Sequence, residues 1–154
     1  MTIAFVLGNG VSRRAVDLTD LKKYGPIYGC NALYRDFIPD VLVATDTPIA
    51  TQIQESKYAL SHRFYTRRPL KDLGAHRVPQ DYYGFSSGPL ATALAAADGA
   101  LKVYMIGFDM GPTSQNLFNN VYAGTDFYKK FDAQPTYTGN WIRQIVRITT
   151  DYPS

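Results

Sequence analysis

One cysteine, Cys30, stands in the whole chain, and only two histidines, His62 and His76. A lone cysteine excludes an intrachain disulfide and a multi-cysteine zinc site, and two histidines exclude a histidine-rich metal centre. Charge is sparse as well: Asp, Glu, Lys and Arg make up 19% of 154 residues, for a net +3. So mild a surplus suits an anionic small ligand and argues little for a nucleic-acid partner, which is not expected. No apolar run approaches the ~20 residues that cross a bilayer. The N-terminal run Ile3-Ala4-Phe5-Val6-Leu7 is too short for a secretory leader. The address these absences leave is a reducing cytoplasm, with no membrane span.

What is present is globular. The apolar fraction is 45%, and the length suits a single domain over residues 1–154 with its own core. Twelve tyrosines, eight phenylalanines and Trp141 bring the aromatic share to 14%. A surplus of that size supplies packed rings plus some that face a ligand or an interface, including one within a homo-oligomer.

Short apolar runs alternate with helical patterns. Ile3–Leu7, Ile27–Cys30, Val41–Thr45, Arg63–Thr66 and Val103–Phe108 read as five strands. Val11–Lys23 reads as helical or partly helical up to Gly25-Pro26, and Ala32–Phe37 as a short helix halted near Pro39. A helix opens at Pro48 and runs to about Leu60, and residues 67–85 are irregular. Ser87-Gly88-Pro89 is a strong helix start for the alanine-rich Leu90–Asp98. Residues 111–139 are polar and aromatic without period. Asn140–Thr150 reads as an amphipathic helix with Trp141, Ile145 and Ile148 on one stripe. The alternation predicts an α/β, Rossmann-like fold, a mostly parallel sheet with helices on both faces. The chain stops where such a unit would supply another strand, as a shortened version of a longer design would.

Ligands of such sheets bind beyond the carboxyl ends of the strands, and polar residues collect there. Gly8-Asn9-Gly10-Val11-Ser12 follows the first strand. A glycine turn opening a helix gathers backbone N–H groups for a phosphate or carboxylate, and Asn9 between two glycines exceeds what a turn demands. Gly8-x-Gly10 lacks the third glycine of a dinucleotide fingerprint, Arg13 standing there, so an oxidoreductase fits poorly. Asn31 ends strand two, Asp46 strand three and Asp109 the last strand, while Ser86-Ser87 should lie on the same rim. Asp46 and Asp109 read either as turn caps or as Mg²⁺ ligands beside phosphates. Arg13 and Arg14 either pair with phosphates or are solvated. The basic run Arg63, Arg67, Arg68, Lys71, Arg77 reads as an exposed loop or a surface for an anionic acceptor. Cys30 reads as a buried strand residue, and the histidines as loop residues. The tract from Tyr122 to Tyr137 is a ligand lid or an oligomer interface.

Taken in order, Gly8-Asn9-Gly10-Val11-Ser12, Cys30-Asn31-Ala32, Ser86-Ser87-Gly88 and Ile106-Gly107-Phe108-Asp109 resemble the family 42 sialyltransferases. They equally resemble the related hydroxymethylpterin pyrophosphokinases and flagellin-modifying glycosyltransferase-like proteins. The likeness covers roughly residues 3–110 and suits a short, divergent, phage-encoded relative. It implies a nucleotide or nucleotide-sugar site in which Asn9 and the amides around Gly10 face phosphate and Asn31 faces ribose or phosphate. Ser87 and Gly88 would lie near base or donor, and Phe108 and Asp109 would flank the base. Tyr122 and Tyr128 would assist the departing phosphate. Two departures stand out: Val11 replaces the turn's proline, and no histidine follows His76 where the sialyltransferases place their base. The expectation is therefore a glycosyltransferase-like enzyme with a metal-independent donor site. Its alternatives are a Mg²⁺-dependent pyrophosphokinase-type phosphotransferase and a non-catalytic nucleotide-binding module. Asp46, Asp109, Tyr122 and Tyr128 are the catalytic candidates; Gly8, Asn9, Gly10, Ser12, Asn31, Ser86, Ser87, Gly88 and Phe108 are the binding candidates.

Overall fold

The computed structural model describes residues 3–135 and 139–153. Six strands form one sheet: β1 (Ile3–Leu7), β2 (Ile27–Cys30), β3 (Val41–Val43), β4 (Phe64–Thr66), β5 (His76–Arg77) and β6 (Lys102–Ile106). Their order is β5-β4-β3-β2-β1-β6 and every pairing is parallel. The fold is α/β and Rossmann-like, as the alternation of runs predicts.

The inner strands are continuous apolar runs because both of their faces are covered. Along β1, Ala4 and Val6 point to one layer and Phe5 and Leu7 to the other. The first layer is α3 (Ser87–Ala97) with α4 (Gly139–Asp151). Alanines along α3 let it lie close on the sheet, and residues 87–95 are all buried. In the second layer, α2 (Thr47–Glu55) sets Ile49, Ala50 and Ile53 over Leu7, Leu42 and Phe64. No helix of the described residues is long and apolar enough to cross a membrane.

Several elements are shorter than the sequence pattern suggests. The stretch after β1 is a 3-10 turn, Val11–Ala15, and then a one-turn helix, α1 (Leu18–Leu21), capped by the Asp17 carboxylate. Residues 31–35 are also 3-10. α2 ends at Glu55 because Lys57 turns left-handed at φ +64°, so Tyr58–Leu60 is a separate 3-10 turn. Within the segment expected to be irregular, His76–Arg77 pairs with β4 as an edge strand. Both residues are exposed, so no apolar signal marks them. Val103–Phe108 begins and ends earlier, as Lys102–Ile106.

From β1 the chain adds strands outward to β5, then returns to place β6 on the other side of β1. The strand order therefore reverses between β1 and β6. The carboxyl ends of these two strands mark the topological switch point, which is where sheets of this kind hold ligands.

Candidate functional site

A cavity of about 810 Å³ opens on that carboxyl edge. Asn9 and Gly10 from the end of β1, Asn31 after β2, Asp46 after β3 and Asp109 after β6 all line it. Four strand ends named from the sequence thus meet at one concavity.

The glycine turn works differently from the sequence expectation. A Cβ on Gly8 would stand 2.5 Å from the Gly107 carbonyl oxygen, and one on Gly10 2.5 Å from the Asp109 carboxyl carbon. The glycines therefore admit the end of β6 rather than a ligand. Nor are the turn's amides open. Gly10 N–H donates to Gly107 O (2.9 Å), Val11 N–H to Asn119 Oδ1 (2.8 Å) and Ser12 N–H to Asp109 Oδ2 (3.1 Å). Ser12 Oγ donates to the other oxygen of the same carboxylate. The protein's own Asp109 and Asn119 fill the place where a phosphate was expected.

Asn9 is 5% exposed, and its Nδ2 donates to the Cys30 carbonyl at the end of β2 (3.1 Å). That carbonyl can only accept, so the amide orientation is fixed and Oδ1 is the end left over. Oδ1 is buried and has no hydrogen-bond partner. An orphaned buried acceptor costs about 1–3 kcal/mol. What Asn9 has left to offer is an acceptor, so its natural partner is a hydroxyl or amine; ionised phosphate has no proton to give.

Asn31 adopts φ +56°, a left-handed conformation that Asn tolerates better than most residues. Its Oδ1 accepts from Ser87 Oγ (3.2 Å), and Ser87 Oγ in turn accepts from Thr45 N–H (3.1 Å). Ser87 is buried and holds Asn31 and the end of β3 instead of capping α3, whose first residue it is. Ser86, at the cap position, makes no side-chain cap; its N–H donates to Gln144 Oε1 (2.9 Å). Gly88 admits Trp141, since a Cβ there would meet the indole at 2.5 Å. Phe108 packs edge-on beneath the same indole, with ring centroids 5.4 Å apart, and is not part of the cavity wall.

The two carboxylates follow strands that are not neighbours. β3 and β6 are separated by β2 and β1, so their ends lie about 14 Å apart at ~4.8 Å per strand. Asp109 is engaged by Ser12 as described. Asp46 is exposed at the cavity, and its side chain makes no cap bond to α2. Among the described residues, no three His, Cys, Asp or Glu side chains gather where they could hold a metal ion.

Residues 117–129 fold over the rim. Val121 N–H donates to Asn9 O (2.8 Å), and Tyr128 Oη accepts from Ala32 N–H (3.2 Å). Of the two tyrosines, only Tyr128 lines the cavity; Tyr122 is buried behind it, with ring centroids 5.8 Å apart. Burial pushes the Tyr122 phenol up to about 12, aided by a hydrogen bond with Asp36 and opposed by Arg13, and burial raises Tyr128 as well. Both are neutral donors at physiological pH. Arg13 is 8% exposed and turned away from the rim, its Nη2 donating to Tyr122 Oη (3.3 Å). Cys30 is buried in β2, and desolvation pushes its thiol up to about 12. Tyr137 lies outside the described residues.

Sequence reasoning singled out neither Asn119, Phe118 nor Trp141 for the cavity wall, and took Phe127 and Lys129 only as part of a tract that is a lid or an interface. Four of them come from the segment without periodicity; Trp141 was read as core, and its one signal was being the sole tryptophan. Fold and site together define a Rossmann-like α/β domain with a ligand-sized cavity at its topological switch point. Comparison with protein-family models, with curated proteins and with solved structures finds no match to this chain.

Proposed function

We propose that the protein binds a nucleotide or nucleotide sugar in the switch-point cavity and acts as a glycosyltransferase-like enzyme. The observation that carries this reading is Asn9, a buried amide on the cavity wall with a spare acceptor. A ribose hydroxyl or a base amine would satisfy it once the wall shifts to admit the ligand, because Oδ1 itself is buried. The cavity volume falls within the ~300–1,000 Å³ usual for small-molecule sites. Trp141, Phe118, Phe127 and Tyr128 supply ring faces or edges for a planar base. Asn31, preset by Ser87, offers its Nδ2 as a donor.

The donor site in this reading is metal-independent: Asp109 is already engaged by Ser12, which leaves Asp46 as the uncommitted carboxylate on the cavity wall. Tyr128 donates a proton or hydrogen bond to charge developing on the leaving phosphate, and Asp46 is the free carboxylate able to act as base. Calorimetric titration with CMP, CDP, UMP, UDP, GDP, AMP and ATP, each with and without Mg²⁺, tests this. The expected result is saturable binding of a pyrimidine nucleotide with no Mg²⁺ requirement. Binding of ATP alone, and only with Mg²⁺, would replace it with phosphoryl transfer; no binding by any member would overturn it.

A further inference from the structure

Beside the main cavity lies a second one of about 380 Å³, between the end of β4, the segment after it and α2. Thr47, the first residue of α2, lines both. Two consecutive arginines, Arg67 and Arg68, also line the smaller cavity, and no carboxylate does. The ion pairs among the described residues are Lys23–Asp20, Arg63–Asp98 and Arg147–Asp151, so neither arginine has an acidic partner.

Arg67 is fixed in place. Its Nε donates to Tyr83 O and its Nη2 to Phe85 O, both at 2.8 Å, which leaves Nη1 uncommitted. A guanidinium held by two carbonyls has already lost its rotamer freedom, so an anion that binds it orders little more. Arg68 is exposed, and its side chain makes no hydrogen bond among the described residues. Gln54 contributes no competing group: Nε2 is bound to Ala50 O (3.2 Å), and Oε1 accepts from Leu70 N–H (2.7 Å). Thr51 adds a hydroxyl to the wall.

We propose that this smaller cavity is a second ligand site that takes an oxyanion, the carboxylate or phosphate group of a small acid, between Arg67 and Arg68. It has less than half the volume of the main cavity. Through Thr47 it adjoins the main cavity, where a co-substrate would meet the donor. That role as a co-substrate site rests on the nucleotide reading above; binding of the anion does not.

Inorganic phosphate and acetate, titrated separately into the full chain at constant ionic strength with chloride, test the site by calorimetry and thermal shift. One of them should bind saturably, phosphate assigning a phosphoryl group and acetate a carboxylate. Arg68→Ala should weaken that binding roughly tenfold or more, the worth of one charged hydrogen bond. Arg68→Glu, which places its own carboxylate in the cavity, should abolish it. Melting temperatures near wild type without anion verify folding, since Arg68 holds no other element. If neither anion saturates, or if Arg68→Ala binds as wild type does, the proposal is overturned. Nucleotide titration of Arg68→Ala separates the two readings: it reports only on the main cavity, so its failure in wild type as well would sink the nucleotide reading and leave the anion result standing.

Discussion

Ser12 gives the Asp109 carboxylate both its backbone N–H and its hydroxyl, which locks the turn after β1 to the end of β6. An acidic side chain here does what a bound anion does at many turns of this kind: it satisfies the first N–H groups of a short helical segment. The two strand ends are therefore pinned together beneath the cavity, which has Asn9 on its wall. Asp109→Ala removes this pin. It should lower stability by about 1–2 kcal/mol, as loss of a helix cap does, and leave nucleotide binding measurable. Thermal unfolding together with nucleotide titration checks both halves; complete loss of binding in a folded Asp109→Ala protein would return Asp109 to the chemistry.

Asn9→Ala deletes the spare acceptor and the bond to the Cys30 carbonyl together. It should weaken nucleotide binding by about 1–3 kcal/mol. Asn9→Asp keeps the shape but sets a second acceptor against that carbonyl, and it should weaken binding further while lowering the melting temperature. A folded Asn9→Ala protein with wild-type affinity would remove Asn9 from the site.

Trp141 is the sole tryptophan and lies on the cavity wall, so its fluorescence reports the site directly. A nucleotide base stacked near the indole should quench or shift its emission saturably, with the same midpoint as the calorimetric titration. Gly88→Ala puts a methyl where the indole sits and should displace it, moving emission to the red before any ligand is added. Unchanged emission in that variant would mean that the Gly88–Trp141 contact does not hold in solution.

The strands were the most legible part of the chain. Ile3–Leu7 and Ile27–Cys30 coincide with the runs that mark them, because burial on both faces leaves no polar residue to blur their ends. His76–Arg77 was illegible for the opposite reason: an exposed edge strand is held by its backbone ladder alone. The rim residues Asn9, Asn31 and Asp46 could be placed from strand register. The duty of Asp109 could not, because its partner Ser12 lies 97 positions away in sequence. Nor could the separation of the strands before Asp46 and Asp109 be read, since the position of β6 beside β1 depends on a crossover rather than on any local pattern. Residues 117–129 carry no period because backbone and side-chain bonds to the turns after β1 and β2 hold them, not a stripe.

At the opposite edge of the sheet, Asp98 accepts from Tyr28 Oη (2.5 Å) and from Arg63 Nη1 (2.9 Å). Burial opposes the Asp98 charge, yet the hydrogen bonds from Arg63 and Tyr28 and the Arg63 charge hold its pKa below the usual carboxylate value. A depressed folded-state pKa contributes stability above the unfolded value of 3.8, and this is lost as pH falls through the folded value. Arg63 is partly exposed, so solvent screening keeps the effect modest. Asp98→Asn should lower stability by about 1 kcal/mol at neutral pH, with a difference from wild type that shrinks on acidification. Since this network lies far from the cavity, nucleotide affinity should not change, which makes the variant a control for the others.

The alkaline limb has the opposite sign. Burial raises Tyr58 and Tyr122 from 10.0 to about 12, and the Cys30 thiol from 9.0 to about 12. In each case the folded state holds its proton more tightly than the unfolded chain does. The stability linked to these groups is whole below pH 9–10 and is lost as pH rises through about 12. Phenolate absorbance of the buried set should therefore rise only near pH 12, together with unfolding. Thiol labelling of Cys30 should follow that same rise. Tyr122→Phe should flatten the fall of stability between pH 10 and 12. A variant as steep as wild type over that interval would show that Tyr122 ionises without resistance from its surroundings, and would move it out of the buried layer behind Tyr128.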